Sequence, residues 1–186
     1  MTIRQAFEEH IVVANASIAL LPEVEKSAVA IRKSLNAGGK VLACGNGGSA
    51  ADAQHFVAEF VGRYQRDRKA LPALSLTTDT SILTSVANDF SYDNVFARQI
   101  EALAQPNDVL VALSTSGNSA NVIAAAKAAK ARSLVVIAFT GKDGGRLREF
   151  ADILIAVPST VVARVQEVHE LALHAIAESI DEGVKP

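Results

Sequence analysis

KVLACGNGGSAADAQHFVAEF, residues Lys40 to Phe60, runs from a short apolar stretch through a glycine-rich turn into apolar residues at helical spacing. Strand, turn and helix in that order begin a βαβ unit. The same order continues downstream. KVLACG (40–45), ALSLTT (73–78), DVLVALS (108–114), LVVIAFT (134–140) and DILIAVP (152–158) are each almost continuously apolar, with helical patterns between them. Strands buried on both faces read this way, and the intervening helices supply the crossovers of a parallel sheet. The expected fold is α/β, a single doubly wound parallel sheet.

Upstream of Lys40 no strand is expected. Phe7, Ile11, Ala14, Ile18 and Leu21 form a narrow apolar seam that ends at Pro22. Val24, Ala28, Ile31 and Leu35 repeat the spacing as far as the Gly38-Gly39 stop. Two helices, residues 1–37, therefore precede an α/β core, 38–186, in one domain. Their seams are expected to pack on that core or on another subunit.

Composition narrows the function. The chain has 186 residues, 49% of them apolar, and 18 Lys+Arg against 20 Asp+Glu. That balance does not favour non-specific nucleic-acid binding. Cys44 is the only cysteine, so neither a disulfide framework nor a cysteine-rich metal site is expected. The start, MTIRQAFEEH, lacks a basic patch followed by an apolar core, and no apolar run approaches membrane-spanning length. A cytoplasmic protein with no membrane partner is the expectation.

Ligands of doubly wound sheets sit beyond the carboxyl ends of the strands. Gly45-Asn46-Gly47-Gly48-Ser49-Ala50 satisfies the loose pattern G-x-G-x-x-[G/A]. A dinucleotide site also needs an acidic residue closing the second strand about 20 residues on. Asp67 has that spacing but lies in the charged stretch RYQRDRK, and Asp79 comes too late. The dinucleotide reading is not favoured. A Walker A loop is excluded because no Gly-Lys-Ser/Thr follows. Ser114-Thr115-Ser116-Gly117-Asn118-Ser119 places four hydroxyls and a glycine between a strand and a helix. Helix N-terminal amides with hydroxyl donors cradle a phosphate monoester without Lys or Arg. Capping by Ser119 or Asn118 is the plainer alternative, but capping needs fewer hydroxyls.

Two helices carry polar stripes. At about 100° per residue, Asp52, His55, Glu59 and Arg63 fall within roughly 80° of one another. Alone, this would be a solvated face with an i,i+4 Glu59–Arg63 pair; behind the glycine loop it faces the ligand end of the sheet. In VVARVQEVHELALHAIAESI, Val165, Val168, Ala172, Ala175, Ile176 and Ser179 face a core. Gln166, Glu170 and His174 lie on another side, interleaved with Leu173 and Ala177, a mixture suited to half-burial against another chain. His169 projects about 140° away from His174. It reads as an edge-of-core residue, as does His10.

Taken together, GNGGSAADAQHFVAEF, TTDTS, AND, STSGNS, TGKDGG and RVQEVHELALH resemble the phosphoheptose isomerases of the sugar isomerase (SIS) domain class over most of the chain. The resemblance implies a flavodoxin-like SIS fold and cytoplasmic homotetramers with active sites between subunits. It also implies conversion of sedoheptulose 7-phosphate to D-glycero-D-manno-heptose 7-phosphate for bacterial surface polysaccharide. By motif, His55, Glu59, Gln166 and His174 correspond to a set that holds Zn2+, with Glu59 and His174 also catalytic. Ser114, Thr115, Ser116 and Ser119 match the phosphate loop. Asn46, Gly47, Gly48, Ser49, Asp89 and Gln166 match sugar-contacting positions, with Arg63 a weaker match. Gln166 and His174 stand about 12 Å apart along one helix axis, so both reach one ion only by converging from above and below. Ala163 departs from relatives that carry an acidic residue there, which puts one hydroxyl contact in doubt.

Aldose–ketose interconversion moves a proton between adjacent carbons through an enediol, and needs a base, a proton carrier and a stabiliser of oxyanion charge. Glu59 is the implied base and His174 the carrier. A carboxylate tied to a metal is a poorer base, so the two roles of Glu59 compete. A non-enzymatic relative, a tetramer that binds the bacterial replication initiator, is the rival reading. Such proteins tend to lack the equivalents of Glu59 and His174, and both are present here. A sugar-sensing regulator would need a helix-turn-helix extension that fits nowhere. Arabinose 5-phosphate isomerases usually continue into a regulatory domain pair, whereas this sequence ends at Pro186.

Overall fold

The computed structural model describes residues 2–183. Helix α1 (Ile3–Ala16) is opened by a capping box, in which Thr2 Oγ1 accepts from the Gln5 amide at 3.2 Å and Gln5 Oε1 accepts from the Thr2 amide at 2.7 Å. A 3-10 turn, Ser17–Leu20, leads without a loop into α2 (Leu21–Asn36). Pro22 therefore lies in the first turn of the second helix instead of ending the first. Its missing N–H costs nothing there.

The remaining order is β1 (Val41–Cys44), α3 (Gly48–Val61), β2 (Ala73–Ser75), α4 (Thr80–Asp89), α5 (Ala97–Leu103), β3 (Val109–Ser114), α6 (Ala120–Ala131), β4 (Val135–Gly141), β5 (Ile153–Val157) and α7 (Val162–Gly183). The five strands form one parallel sheet in the order β2-β1-β3-β4-β5. All five expected strands are present. The second is shorter than expected, because beyond Ser75 the chain turns and the Ser75 and Thr77 hydroxyls bond each other at 2.8 Å.

Alternate residues along the strands build two cores. Val41, Ala43, Val111, Leu113 and Phe139 face Ile31 of α2, Phe56 and Phe60 of α3 and Ile176 of α7. Leu42, Leu110, Ala112, Val136 and Ala138 face Ile100 of α5 and Val122 and Ala126 of α6. Full burial of each large apolar side chain contributes about 1.5–3 kcal/mol. The strand order reverses between β1 and β3, so the glycine loop and the serine loop open side by side at the switch point.

The helix seams fare differently. On α2, Ala28 and Ile31 are buried as expected. On the first seam Phe7 is 70% exposed, Ile18 60%, Ile11 57% and Leu21 51%, so most of that stripe is left uncovered among the described residues. On α7, Val165, Val168, Ala172 and Ile176 are buried, while Ala175 and Ser179 lie outside the core. Leu173 and Ala177 are buried in the same cluster as Phe56 and Phe60. The half-burial of the mixed face is thus supplied by α3 of the same chain.

Of the two histidines read as edge-of-core residues, His169 lies elsewhere and half-buried His10 does not. His169 is in the core, not at its edge: fully inaccessible, bonded through Nε2 to the Thr140 carbonyl at 3.0 Å, and edge-on to Phe139. Burial pushes its pKa down to about 4, against the pull of that carbonyl, so it is neutral near pH 7. His10 joins α1 to α7, its Nδ1 2.7 Å from Glu167 Oε2. Among the described residues no helix is long and apolar enough to cross a membrane.

Candidate active site

Helix α3 leaves the switch point and lies against α7. His55 Nε2 stands 2.8 Å from His174 Nε2, and Glu170 Oε1 lies 3.2 Å from the first nitrogen and 3.3 Å from the second. Glu59 Oε1 is 3.4 Å from the same nitrogen of His55, and the Glu59 side chain is only 15% exposed. Tyr64 lies over His174 with ring centroids 5.7 Å apart. The expected carboxylate and imidazole, Glu59 and His174, are distant in sequence and are joined here through His55, which touches both.

Not every expected member joins this group. Gln166 turns its amide onto the glycine loop, where a Cβ on Gly48 would overlap it. That close approach is what glycine at 48 permits. Arg63 leaves the stripe altogether, because α3 ends at Val61 with Gly62 as its cap. It is exposed and donates to the Gln65 carbonyl at 3.2 Å, so the expected pair with Glu59 is not formed. Glu170, given no role by the sequence motif, is the member that the packing adds. Its i,i+4 spacing to His174 on the polar side was the signal available.

The group is short of positive charge. Glu170 forms ion pairs only with the two imidazoles among the described residues, and Glu170 Oε2 and Asp52 Oδ2 are buried without a hydrogen-bond partner. Burial and the Glu170 charge push the pKa of Asp52 up to about 6, with His55 opposing them. His55, Glu170 and His174 offer ligand atoms within 4.8 Å of one another. Two imidazole nitrogens and a carboxylate oxygen match the donor types of a zinc site, and a cation there would relieve the Asp52–Glu170 repulsion.

Asp52 gives a signed pH prediction. A carboxyl whose pKa is raised by folding binds its proton more tightly when folded, so its ionisation destabilises the fold above about pH 6. The penalty vanishes as pH falls through about 6 toward 4. In chelator-treated protein, Asp52→Asn is expected to raise Tm by ~2–4 °C at about pH 7.5, after discounting for partial exposure, and by nothing at about pH 4. Thermal scans at the two pH values check this, and an equal gain at both contradicts it.

At the second loop, Ser119 occupies the N-cap position of α6 yet makes no capping bond. Its hydroxyl instead meets Ser114 Oγ at 2.9 Å. Asn118 is not a cap either, since its side chain donates to the Ser116 carbonyl at 2.9 Å. Capping by Ser119 or Asn118 is thereby disfavoured; Asn121 Oδ1 accepts from the Val122 amide at 2.9 Å, which leaves the Ala120 and Asn121 amides of the first turn of α6 open to an anion. Asn46 ties the two loops together through reciprocal amide bonds with Asn121, both 2.8 Å. Tyr92 OH approaches Asn46 Oδ1 at 3.4 Å. Sequence reasoning singled out neither Asn121 nor Tyr92, as amides and phenols carry no motif of their own. Ser49 is buried in the first turn of α3. Asp89 is exposed at the end of α4 and accepts only from Asn88 among the described residues.

A glycine loop and a serine loop side by side at the switch point, with an imidazole–carboxylate group between α3 and α7, define an SIS-type domain, and residues 11–141 match the SIS domain family. The chain is 53% identical over 188 residues to a phosphoheptose isomerase from Alteromonas mediterranea, covering 99% of this chain and 95% of the relative. It superimposes on the structure of a phosphoheptose isomerase from Neisseria gonorrhoeae with a TM-score of 0.92 and 46% identity, covering 97% of each chain. A phosphoheptose isomerase structure from Francisella tularensis gives a TM-score of 0.94 at 37% identity, covering 98% of this chain and all of the other. The chain belongs to the phosphoheptose isomerase family, aldose–ketose isomerases of the SIS class.

Proposed function

We propose that this protein converts sedoheptulose 7-phosphate to D-glycero-D-manno-heptose 7-phosphate by enediol proton transfer, supplying heptose for surface polysaccharide. The observation that carries this reading is the pair of contacts that His55 of α3 makes, with Glu59 on its own helix and with His174 of α7. Ser114, Thr115, Ser116 and Ser119 hold the phosphate with the first-turn amides of α6. Binding energy from that remote group orients the reacting carbons. Asn46, Ser49 and Gln166 line the loop side of the sugar, with Gly47 and Gly48 allowing its close approach, and Asp89 reaches it from α4. Glu59 removes the proton from the carbon beside the carbonyl, and His174 carries a proton between the two substrate oxygens.

His55, His174 and a carboxylate of Glu59 or Glu170 would hold Zn2+, which when bound polarises the carbonyl and stabilises enediolate charge. With Glu170 available as a ligand, Glu59 is free to act as the base, which eases the conflict between its two roles. We further propose one domain, 1–186, and a cytoplasmic homotetramer with active sites at the subunit interfaces. The exposed stripe of Phe7, Ile11, Ile18 and Leu21, which runs from α1 through the 3-10 turn to the start of α2, supports the assembly. Isomerisation of sedoheptulose 7-phosphate, assayed with and without chelator, tests the reading. Turnover that falls at least about tenfold on chelation and returns with zinc is expected. No turnover under either condition, with tight binding to a replication initiator, would favour the non-enzymatic relative.

A further inference from the structure

The charged stretch RYQRDRK between α3 and β2 is mostly exposed, yet one of its side chains is not. Arg68 is 2% exposed, and so is Asp181 of α7, its ion-pair partner at 2.8 Å. A buried pair of this kind is weak evidence for stability, because desolvation offsets the attraction. What it touches is more informative. Arg68 Nη2 donates to the carbonyl of Glu59 at 2.5 Å, and Nη1 to those of Phe60, Gly62 and Lys69 at 2.9, 3.2 and 3.0 Å. These include orphan carbonyls of the last turn of α3, the negative end of its dipole. Asp181 in turn accepts from the Gln65 and Arg66 amides at 3.1 and 2.7 Å through its other oxygen. Burial raises the pKa of this carboxyl, but those amides and the guanidinium outweigh it and leave the pKa below the ordinary value.

We infer that Arg68 and Asp181 are positioning residues that set the spacing between the two halves of the active site. The inference rests on the proposed roles of Glu59 and His174. One end of the bracket grips the backbone of Glu59 itself. The other stands seven residues, two turns, beyond His174 on α7. Between the bracket and the glycine loop lie the contacts that the chemistry needs: Glu59 to His55, and His55 to His174 and Glu170. Neither Arg68 nor Asp181 forms a hydrogen bond or ion pair with any of these side chains among the described residues, so the pair acts through the placement of the helices. The guanidinium uses three separate nitrogens, Nε on Asp181 and Nη1 and Nη2 on the α3 carbonyls, a span that the single nitrogen of an ammonium cannot cover.

Two variants test this, each assayed well below its own Tm and with its fold verified by circular dichroism. Arg68→Lys keeps the charge but loses the fork; Asp181→Glu keeps the charge but lengthens the bracket by one methylene. Both are expected to lower kcat ~10–100-fold and zinc affinity, measured by chelator competition, by a similar factor. KM for the sugar phosphate should stay within about threefold, because the serine loop is untouched. In metal-free protein the imidazole NMR signals of His55 and His174 should shift. If Arg68→Lys does not fold, Asp181→Glu decides alone. A folded variant with lowered Tm but unchanged kcat, zinc affinity and imidazole signals would reduce the pair to a structural role. The zinc and NMR measurements stand even if sedoheptulose 7-phosphate is not the substrate.

Discussion

Glu59→Gln is expected to lower kcat about 10³-fold with KM changed by less than about threefold, the range in which a positioned general base contributes. The amide keeps the shape and hydrogen-bonding reach of the carboxylate and removes its ability to take a proton. The fold should survive, since the Glu59 side chain forms no ion pair with Lys or Arg among the described residues and lies beside His55. Zinc content must be measured alongside, because loss of metal would mimic loss of the base. Activity within tenfold of the parent, zinc retained, takes Glu59 out of the proton transfer and turns attention to Glu170 and Asp52.

Gly117→Ala is expected to raise KM for the sugar phosphate by at least about 30-fold while kcat at saturation changes little. Gly117 has φ +66°, and a Cβ there would overlap the carbonyl of Gly144. The strain alone costs about 1–2 kcal/mol, and the overlap is with backbone that has no rotamer to change. The serine loop is pinned to the following segment by the Leu147 amide on the Gly117 carbonyl at 2.8 Å and the Arg146 amide on Asn118 Oδ1 at 3.1 Å. Displacing it misaligns the hydroxyls and the α6 amides together. Ser116→Ala with Ser119→Ala removes hydroxyls without moving the loop, and a smaller rise of roughly tenfold is expected. Steady-state kinetics separates the two. An unchanged KM in both variants would place the phosphate elsewhere.

Much of this molecule was legible from residue order. Five apolar runs, each bounded by Gly, Ser, Thr or Pro, matched five strands, because a strand buried on both faces has no polar position to blur its limits. The second run is longer than its strand at its end: Leu76 is buried and still donates its amide to the Ala43 carbonyl at 2.9 Å, but the Thr77 and Thr78 hydroxyls bond back to Ser75 in a turn. A β-branched residue at the end of an apolar run does not by itself extend the strand. Arg63 misled for a related reason: helical spacing was carried past Gly62, where the chain leaves the helix. The first helix shows the opposite limit. Its seam is apolar, yet among the described residues Phe7, Ile11, Ile18 and Leu21 stay mostly exposed.

The site divides along the same line. His55, Glu59 and the four hydroxyls of the serine loop, the residues of the proposed site that local spacing groups, each sit within one turn or loop and share a direction set by the backbone. Order of residues alone therefore determined the parallel α/β sheet, its two ligand loops and the polar face of each helix. Only tertiary structure decided which faces meet. It brought Glu170 in beside His55 and His174, turned Gln166 to Gly48, buried His169, and joined Arg68 to Asp181 across 113 residues of chain. The physical reason is that helical periodicity fixes where a side chain points around its own axis, while the distance between two axes comes from the packed volumes of residues such as Phe56, Phe60 and Leu173, which no local pattern contains.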